Sequence, residues 1–144
     1  MNFIEINEDR FQTYASQHPL RTFLQTKNMG SFQQSRGQRI YYLAVEQNQD
    51  IVAAGVFMGA KTNFGYYYSC PCGFLMDYHD KALLSFYTAG IQAFLKSKDG
   101  YLLNIEPEIL YQERNIDGKI VEGGFNNQSV VDNLIDCGYA HNGF

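Results

Sequence analysis

Apolar residues recur every three or four positions across residues 80–98, and this is the strongest helical pattern in the chain. The repeating residues are Leu83, Leu84, Tyr87, Ile91, Phe94 and Leu95. Side chains at this spacing lie on one face of an α-helix, so the pattern predicts a long amphipathic helix. Lys96 and Lys98 suit its C-terminal end, where positive charge interacts favourably with the helix dipole, and Gly100 is the predicted stop.

Before this helix, β-rich runs alternate with short polar turns. The runs cover residues 40–45, 51–57 and 65–69, and the polar stretches 48–50 and 61–63 separate them. β-Branched and aromatic residues favour strands, and runs joined by short turns favour antiparallel pairing. The pattern predicts a meander of three antiparallel strands, with a short opening strand at the start of the chain.

The segment between the opening strand and the meander predicts two shorter helices. Asn7 is a suitable N-cap for the first and Thr26 for the second, because their side-chain oxygens can accept hydrogen bonds from free backbone N–H groups. Gly37 is the predicted end of the second helix, since glycine readily adopts the left-handed conformation found at helix ends. Met29 and Phe32 are predicted to face inward.

The pattern after the long helix predicts one more strand and one more helix. Residues 101–105 are apolar and predict a buried strand, placed beside an earlier strand by a crossover connection. Residues 128–136 predict a helix capped by Asn126 or Asn127, and residues 139–144 a short strand or tail. This order predicts the α+β class, a single three-layer α/β/α domain with a central mixed, mostly antiparallel sheet, as in the acetyltransferase-like (GNAT) architecture.

Composition and charge narrow the classes of protein that fit this fold. The 144 residues are 45% hydrophobic and 18% charged, as in ordinary globular proteins, which excludes disorder as the default. The net charge of −4 disfavours a nucleic-acid-binding domain, which usually carries a basic excess. No apolar run approaches the roughly 20 residues of a membrane helix, and the N-terminus lacks the pattern of a secretory signal. These features predict a cytoplasmic protein.

The stretch 64–78 carries most of the candidate chemistry, because it is an aromatic strand that breaks at Pro71 and turns at Gly73. Cys70 and Cys72 could form half of a metal site, but the third cysteine is far away in sequence and the histidines are scattered, so we predict no metal. A catalytic thiol would need a base, for which His79 is the candidate. We interpret the cysteines as reduced and structural.

Asp77, at the end of this stretch, has two possible roles. It could cap the long helix by accepting backbone N–H bonds, with Asp80 favouring the same helix end, or it could bind a ligand held on the loop. The residues alone favour the cap.

Known catalytic motifs give little guidance. The chain lacks the phosphate-binding loop, the dinucleotide-binding glycine motif, the metalloprotease helix motif and the nucleophile elbow. It also lacks the glycine-rich pyrophosphate turn expected of an acetyl-CoA acetyltransferase.

Five segments carry a family resemblance when they are taken together in order. They are residues 23–37, which contain the dipeptides Met29-Gly30 and Arg36-Gly37, the hairpin at 51–54, the stretch 68–78, the strand end at 103–107, and residues 126–142. The set resembles the FemABX family of tRNA-dependent aminoacyltransferases, which build the interpeptide bridges of peptidoglycan, and is most similar to its MurM/MurN-like branch. The stretch 68–78 lines up with the family signature Tyr-x-Pro-Arg-Gly-Pro-Val-x-Asp-Tyr.

The resemblance implies a fold, a reaction and partners. The fold is the first of two GNAT-like lobes. The reaction is attack by the amino group of a stem-peptide lysine in a UDP-linked or lipid-linked peptidoglycan precursor on the ester of an aminoacyl-tRNA, with no further cofactor. The resemblance assigns no catalytic residue. It implies substrate contacts from five residues, which are Asp77, Gln33, Cys72, Gly73 and Arg36.

The chain departs from the family pattern in three ways. It ends before the second lobe and the helical arm thought to meet tRNA, so we expect this stretch to be inactive alone. Cys72 and Phe74 replace the arginine and proline of the signature, and Gln33 stands near a position often held by lysine. Two other hypotheses stay open, a small acyl-CoA N-acyltransferase and a non-catalytic module that binds precursor or a partner protein.

Overall fold

In a computed structural model, residues 1–143 are described, and they form one five-stranded sheet with helices on both faces. The strands are β1 (Asn2–Glu5), β2 (Arg39–Gln47), β3 (Asp50–Thr62), β4 (Gly65–Cys70) and β5 (Gly100–Ile105). The helices are α1 (Glu8–Gln17), α2 (Lys27–Ser35), α3 (Lys81–Ser97) and α4 (Gln128–Asp136). The predicted α+β class is confirmed, and the predicted order of elements is confirmed as far as α4.

The sheet has the strand order β1-β2-β3-β4-β5. Neighbours from β1 to β4 pair antiparallel, whereas β4 and β5 pair parallel. Parallel neighbours need a crossover connection, and α3 supplies it. The predicted meander, the crossover and the mixed, mostly antiparallel sheet are therefore confirmed.

Two apolar clusters lie on opposite faces of the sheet and produce the three layers. One is formed by α3 and α4 against Leu43, Phe57 and Tyr68 of the sheet. The other is formed by α1 and α2 against Ala44, Val56 and neighbouring strand residues. Consecutive strand residues thus point to opposite faces, as the period of two requires.

The two early helices begin where the polar residues predict. The Asn7 side chain accepts a hydrogen bond from the backbone N–H of Arg10, and the Thr26 side chain accepts one from Met29. Met29 packs against the second cluster as predicted. The prediction for Phe32 is wrong, because its side chain is 52% exposed. Phe32 lies on the outer face of a helix of only nine residues.

The start and end of α3 correct two predictions. Asp80, rather than Asp77, is the N-cap, and its carboxylate accepts a hydrogen bond of 3.0 Å from the backbone N–H of Leu83. The Asp77 carboxylate instead accepts one of 2.9 Å from the backbone N–H of His79, which closes a turn before the helix. At the other end Asp99 takes the left-handed conformation, with φ of 61°, while Gly100 is the first residue of β5.

This difference between the two aspartates predicts different effects on stability. Asp80→Ala is expected to lower the free energy of unfolding by about 1 kcal/mol, because the first turn of α3 loses its cap. Asp77→Ala is expected to cost clearly less, since it removes only a turn contact of an exposed residue. Urea unfolding of both variants beside the unchanged protein measures the difference. Equal losses would return the capping role to Asp77.

The C-terminal part of the chain also differs from the prediction in places. The side chains of Tyr101 and Leu102 are 49% and 53% exposed, so the prediction that β5 is a buried strand is wrong. Within residues 1–143, β5 is an edge strand that pairs only with β4. Asn127 is the N-cap residue of α4 but makes no side-chain cap bond, and the Asn126 side chain accepts from the N–H of Gln128. Residues 139–143 form no strand, and Phe144 lies outside the described residues.

Candidate functional site

The loop that follows β4 interrupts the sheet in the middle of its width. β4 pairs with β3 as far as Ser69 opposite Met58 and with β5 as far as Cys70 opposite Ile105. The chain rejoins β3 at Leu75, which exchanges two backbone hydrogen bonds of 2.8 and 3.1 Å with Ala54. Residues 71–74 therefore form a break within a strand, which we call the strand-break loop. β5 does not follow the chain beyond this break.

Close packing explains the residue types at the turn of the strand-break loop. Cys72 has a φ of 51°, and the backbone N–H of Gly73 donates to the carbonyl of Cys70 over 3.3 Å. A Cβ atom at Gly73 would lie 2.7 Å from Cδ of Gln25 and 3.0 Å from Sγ of Cys70. Such distances are too short for carbon, so this position requires glycine. Glycine can serve a turn by adopting a positive φ or by allowing close approach to the backbone, and at Gly73 it allows close approach.

Gln25 is a residue of the site that the sequence analysis missed. Its side chain is 1% exposed and contacts both β3 and the strand-break loop. Its apolar neighbour Phe23 gives no signal of this burial, because Phe23 is itself 73% exposed. A buried polar side chain needs hydrogen-bond partners, but one sequence does not reveal which positions are buried.

Cys72 lies at the edge of a groove of about 700 Å³ between the end of β5 and α4. The floor is apolar and includes Ile105 and Val130, whereas Glu106 and Glu108 line its polar part. Partial burial, and after it the neighbouring Glu108, raises the pKa of the Cys72 thiol. A neutral thiol beside carboxylates is a poor nucleophile, so the structure favours a packing or contact role for Cys72.

The geometry around His79 gives no support to a thiol–histidine pair. His79 Nδ1 lies 3.4 Å from Oγ of Ser129, at the beginning of α4. Cys70 is fully buried, and burial raises the pKa of its thiol further. All three cysteines are free, in agreement with the interpretation as reduced thiols. Within residues 1–143, no group of three His, Cys, Asp or Glu side chains could hold a metal ion.

Asp77 lies on an exposed turn beside α4. The turn is held to α4 through His79 and through Asn133, whose side-chain amide donates to the carbonyl of Tyr78 over 3.1 Å. Tyr78 itself is buried and its hydroxyl donates to the carbonyl of Phe74. The exposed carboxylate of Asp77 is therefore presented on a turn that is fixed on both sides, which suits a contact with a ligand.

Gln33 lies on α2 and Arg36 is its C-cap residue, in the layer on the other side of the sheet from α4. The side-chain oxygen of Gln33 accepts a hydrogen bond of 3.1 Å from the side-chain amide of Gln38. The Arg36 guanidinium is exposed and lies 5.6 Å from the ring centre of Phe32. The structure thus brings Cys72 and Gly73 together in the strand-break loop, places Asp77 a few residues further on, and keeps Gln33 and Arg36 in a different layer.

The N-terminus of α3 bears on the acyl-CoA hypothesis. A helix N-terminus that binds a pyrophosphate offers free backbone N–H groups to it. Here the Asp80 carboxylate already accepts the N–H of Leu83 and brings a negative charge to this place. The helix end that follows β4 is therefore poorly suited to an anionic ligand.

No helix within residues 1–143 is long and apolar enough to cross a membrane.

Comparison with known proteins decides the family. A family model described as the FemAB family matches residues 6–144. The chain belongs to the FemAB family. The family resemblance inferred from the five segments is thereby confirmed.

Curated relatives of this FemAB-family chain include the enzyme FemA. The chain is 26% identical to the aminoacyltransferase FemA of Staphylococcus aureus, in strains bovine RF122 / ET3-1 and MW2 alike. The alignment extends over 147 residues and covers 100% of this chain and 34% of FemA. The chain thus spans about a third of the length of these curated relatives. The MurM/MurN-like branch stays a prediction.

Solved structures agree on the fold of this FemAB-family chain. The crystal structure of FemX matches it with a TM-score of 0.82 at 18% identity, over 100% of this chain and 33% of FemX. A structure described as a probable acetyltransferase matches with a TM-score of 0.55 at 7% identity, over 99% of this chain and 92% of that protein. At these identities the likeness concerns the fold, and it agrees with the predicted GNAT-like architecture.

Proposed function

We propose that this chain is the first lobe of a tRNA-dependent aminoacyltransferase that adds an amino acid to the stem-peptide lysine of a peptidoglycan precursor. The observation that carries the proposal is the match of the FemAB family model to residues 6–144. The FemA relatives are named aminoacyltransferases, which supports the reaction class. The proposed place of action is the cytoplasm, where UDP-linked and lipid-linked precursors and aminoacyl-tRNA are both available.

The proposed reaction needs no covalent enzyme intermediate and no cofactor. The neutral lysine amine attacks the ester carbonyl of aminoacyl-tRNA, an amide bond forms, the ester bond breaks, and the tRNA leaves with its free hydroxyl after taking up the proton that the amine loses. Such a step gains most from holding two large substrates together and from stabilising the charge that develops on the carbonyl oxygen. We propose that this lobe holds the precursor and that most tRNA contacts come from other parts of a longer protein.

Within this lobe we propose Asp77 as the main hydrogen-bond acceptor for the precursor, with Cys72 and Gly73 shaping the adjacent surface. Support comes from the exposure of Asp77 on a turn held to α4 and from the groove beside Cys72. Gln33 and Arg36 could contact only a different part of a long ligand, because they lie in the other helical layer. An acyl-CoA substrate fits less well, since Asp80 occupies the N-terminus of α3.

Titration of the chain with the nucleotide-linked muropeptide, followed by NMR chemical shifts, tests this proposal. Asp77→Asn is expected to weaken binding by about tenfold or more, because hydrogen bonds to a charged group are worth about 1.5–3 kcal/mol. Asp117→Asn, in an exposed turn of the segment between β5 and α4, is the matched control and should leave binding unchanged. Equal affinities of all three proteins, or shifts confined to residues far from 70–78 and 33–39, would refute the site.

A further inference from the structure

The Gln25 side chain connects two backbone segments that do not pair with each other. Its carbonyl oxygen accepts a hydrogen bond of 3.0 Å from the backbone N–H of Val56 in β3. Its amide nitrogen donates to the carbonyl of Pro71 over 2.8 Å and lies 3.5 Å from Sγ of Cys70. Both polar ends of this fully buried side chain are therefore satisfied by the strand and by the strand-break loop.

The position of Val56 explains why such a connection is needed. β3 pairs with β4 up to Met58 and with the returning chain at Ala54, so Val56 lies in the gap between the two pairings. A buried backbone N–H without a partner costs free energy comparable to a lost hydrogen bond. The Gln25 amide offers a carbonyl oxygen as acceptor and an NH2 group as donor, as a neighbouring strand would, and it fills the gap in the pairing of β3.

Gly73 is matched to this side chain. A Cβ atom there would meet Cδ and Nε2 of Gln25 at 2.7 and 2.9 Å. The strand-break loop thus packs directly on the Gln25 amide, with the backbone of Gly73 on one side and the carbonyl of Pro71 as acceptor. Any rotation of the amide changes where the loop can lie.

We propose that Gln25 is a positioning residue that sets the conformation of the strand-break loop. By replacing a strand in the gap of β3, its amide fixes Pro71 and Gly73, and through them the place of Cys72 at the groove and the start of the turn that carries Asp77. The proposal rests on the proposed function only where it links this loop to precursor binding. The structural part stands independently of it.

Alkylation of each cysteine, assigned to its residue by fragmentation of the peptides in a mass spectrometer, tests the structural part in the whole chain. In Gln25→Leu the loop loses its donor and Val56 its acceptor, so we expect the buried Cys70 to react about tenfold faster relative to Cys137 at the end of α4. Ile91→Ala, a buried change in α3, is the control for general loss of stability. Equal protection of Cys70 in the two folded variants would overturn the proposal.

Gln25→Glu gives a second test that survives if Gln25→Leu does not fold. The introduced carboxyl group is buried, which raises its pKa; when protonated it can still donate to Pro71, whereas the carboxylate faces that carbonyl without a proton. The folded state therefore binds more protons than the unfolded state, and stability relative to the unchanged protein should fall as the pH rises from 5 to 8. A stability difference that does not depend on pH, or failure to fold even at pH 5, would overturn the proposal.

Other ionisable groups near Gln25 do not interfere with this pH profile. Cys70 on β4 and Cys72 in the loop have thiols whose pKa is raised, so both stay neutral over this range. The change between pH 5 and 8 therefore reports the introduced carboxyl group.

Binding of the nucleotide-linked muropeptide separates this proposal from the proposed function. If the unchanged chain binds it, Gln25→Leu should weaken binding about tenfold while Ile91→Ala does not, and equal weakening would overturn the link to binding. If the unchanged chain does not bind it, the proposed function fails, and the alkylation and pH experiments still decide the role of Gln25.

Discussion

Phe74→Ala is expected to lower the free energy of unfolding by about 3–5 kcal/mol, the range for removing a buried phenylalanine. Phe74 is 1% exposed although it belongs to the strand-break loop. Its ring stacks on Tyr78, with 5.5 Å between ring centres, and meets the edge of Tyr87 at 4.8 Å. The side chain thus ties the loop to α3 and to the main apolar cluster, and an alanine would leave a cavity beneath the candidate site.

Chemical denaturation of Phe74→Ala and of Phe64→Ala provides the comparison. Phe64 has the same side chain but is 84% exposed in the turn between β3 and β4, so its replacement should change stability by less than about 0.5 kcal/mol. A loss below about 1 kcal/mol for Phe74→Ala would mean that the ring does not anchor the loop.

Predictions that depend on periodicity and on local hydrogen bonding agree well with the structure. The stripe that contains Leu84 and Ile91 is buried in α3, and the caps at Asn7 and Thr26 form as predicted. These features involve residues within a few positions of each other, so a single sequence contains the information for them. The parallel placement of β5 was also predictable, since a long helix between two strands favours a crossover.

Predictions that depend on distant contacts agree less well. Asp77 and Asp80 are chemically equal candidates for the cap, and the choice depends on where the chain leaves the sheet after Leu75. Leu102 is apolar enough for a core strand, but no local pattern shows that β5 lies at an edge of the described sheet. Gln25 contacts Pro71 across 46 positions of sequence. Such information lies in the tertiary arrangement rather than in any one segment.

Alkaline pH is expected to unfold this protein cooperatively above about pH 10, the ordinary pKa of tyrosine. Tyr78 and Tyr87 are almost fully buried, and their hydroxyls donate hydrogen bonds of 2.6 Å to the carbonyls of Phe74 and Leu43. Burial is the largest cause that raises the pKa of both side chains well above the usual value. Ionisation would leave a charge in the core facing a carbonyl oxygen that has lost its donor.

The sign of the effect follows from counting protons. Above pH 10 the folded state keeps the protons on Tyr78 and Tyr87 while the unfolded chain releases them, so stability falls by about 1.4 kcal/mol per pH unit for each tyrosine. Tyr139, whose pKa is raised to about 12, mainly by burial, adds to this slope. The stability is fully present below pH 10 and is lost progressively as the pH rises towards the folded-state pKa values.

Absorbance of tyrosinate at increasing pH, recorded together with circular dichroism, measures this transition. The buried Tyr78 and Tyr87 should ionise only together with the loss of structure. Tyr87→Phe is expected to lower stability near neutral pH, because the Leu43 carbonyl loses its donor, and also to reduce the slope above pH 10. Tyr101→Phe, the exposed control, should leave both unchanged. Simultaneous titration of all tyrosines in a protein that stays folded would contradict the burial of Tyr78 and Tyr87, and with it the core beneath the strand-break loop.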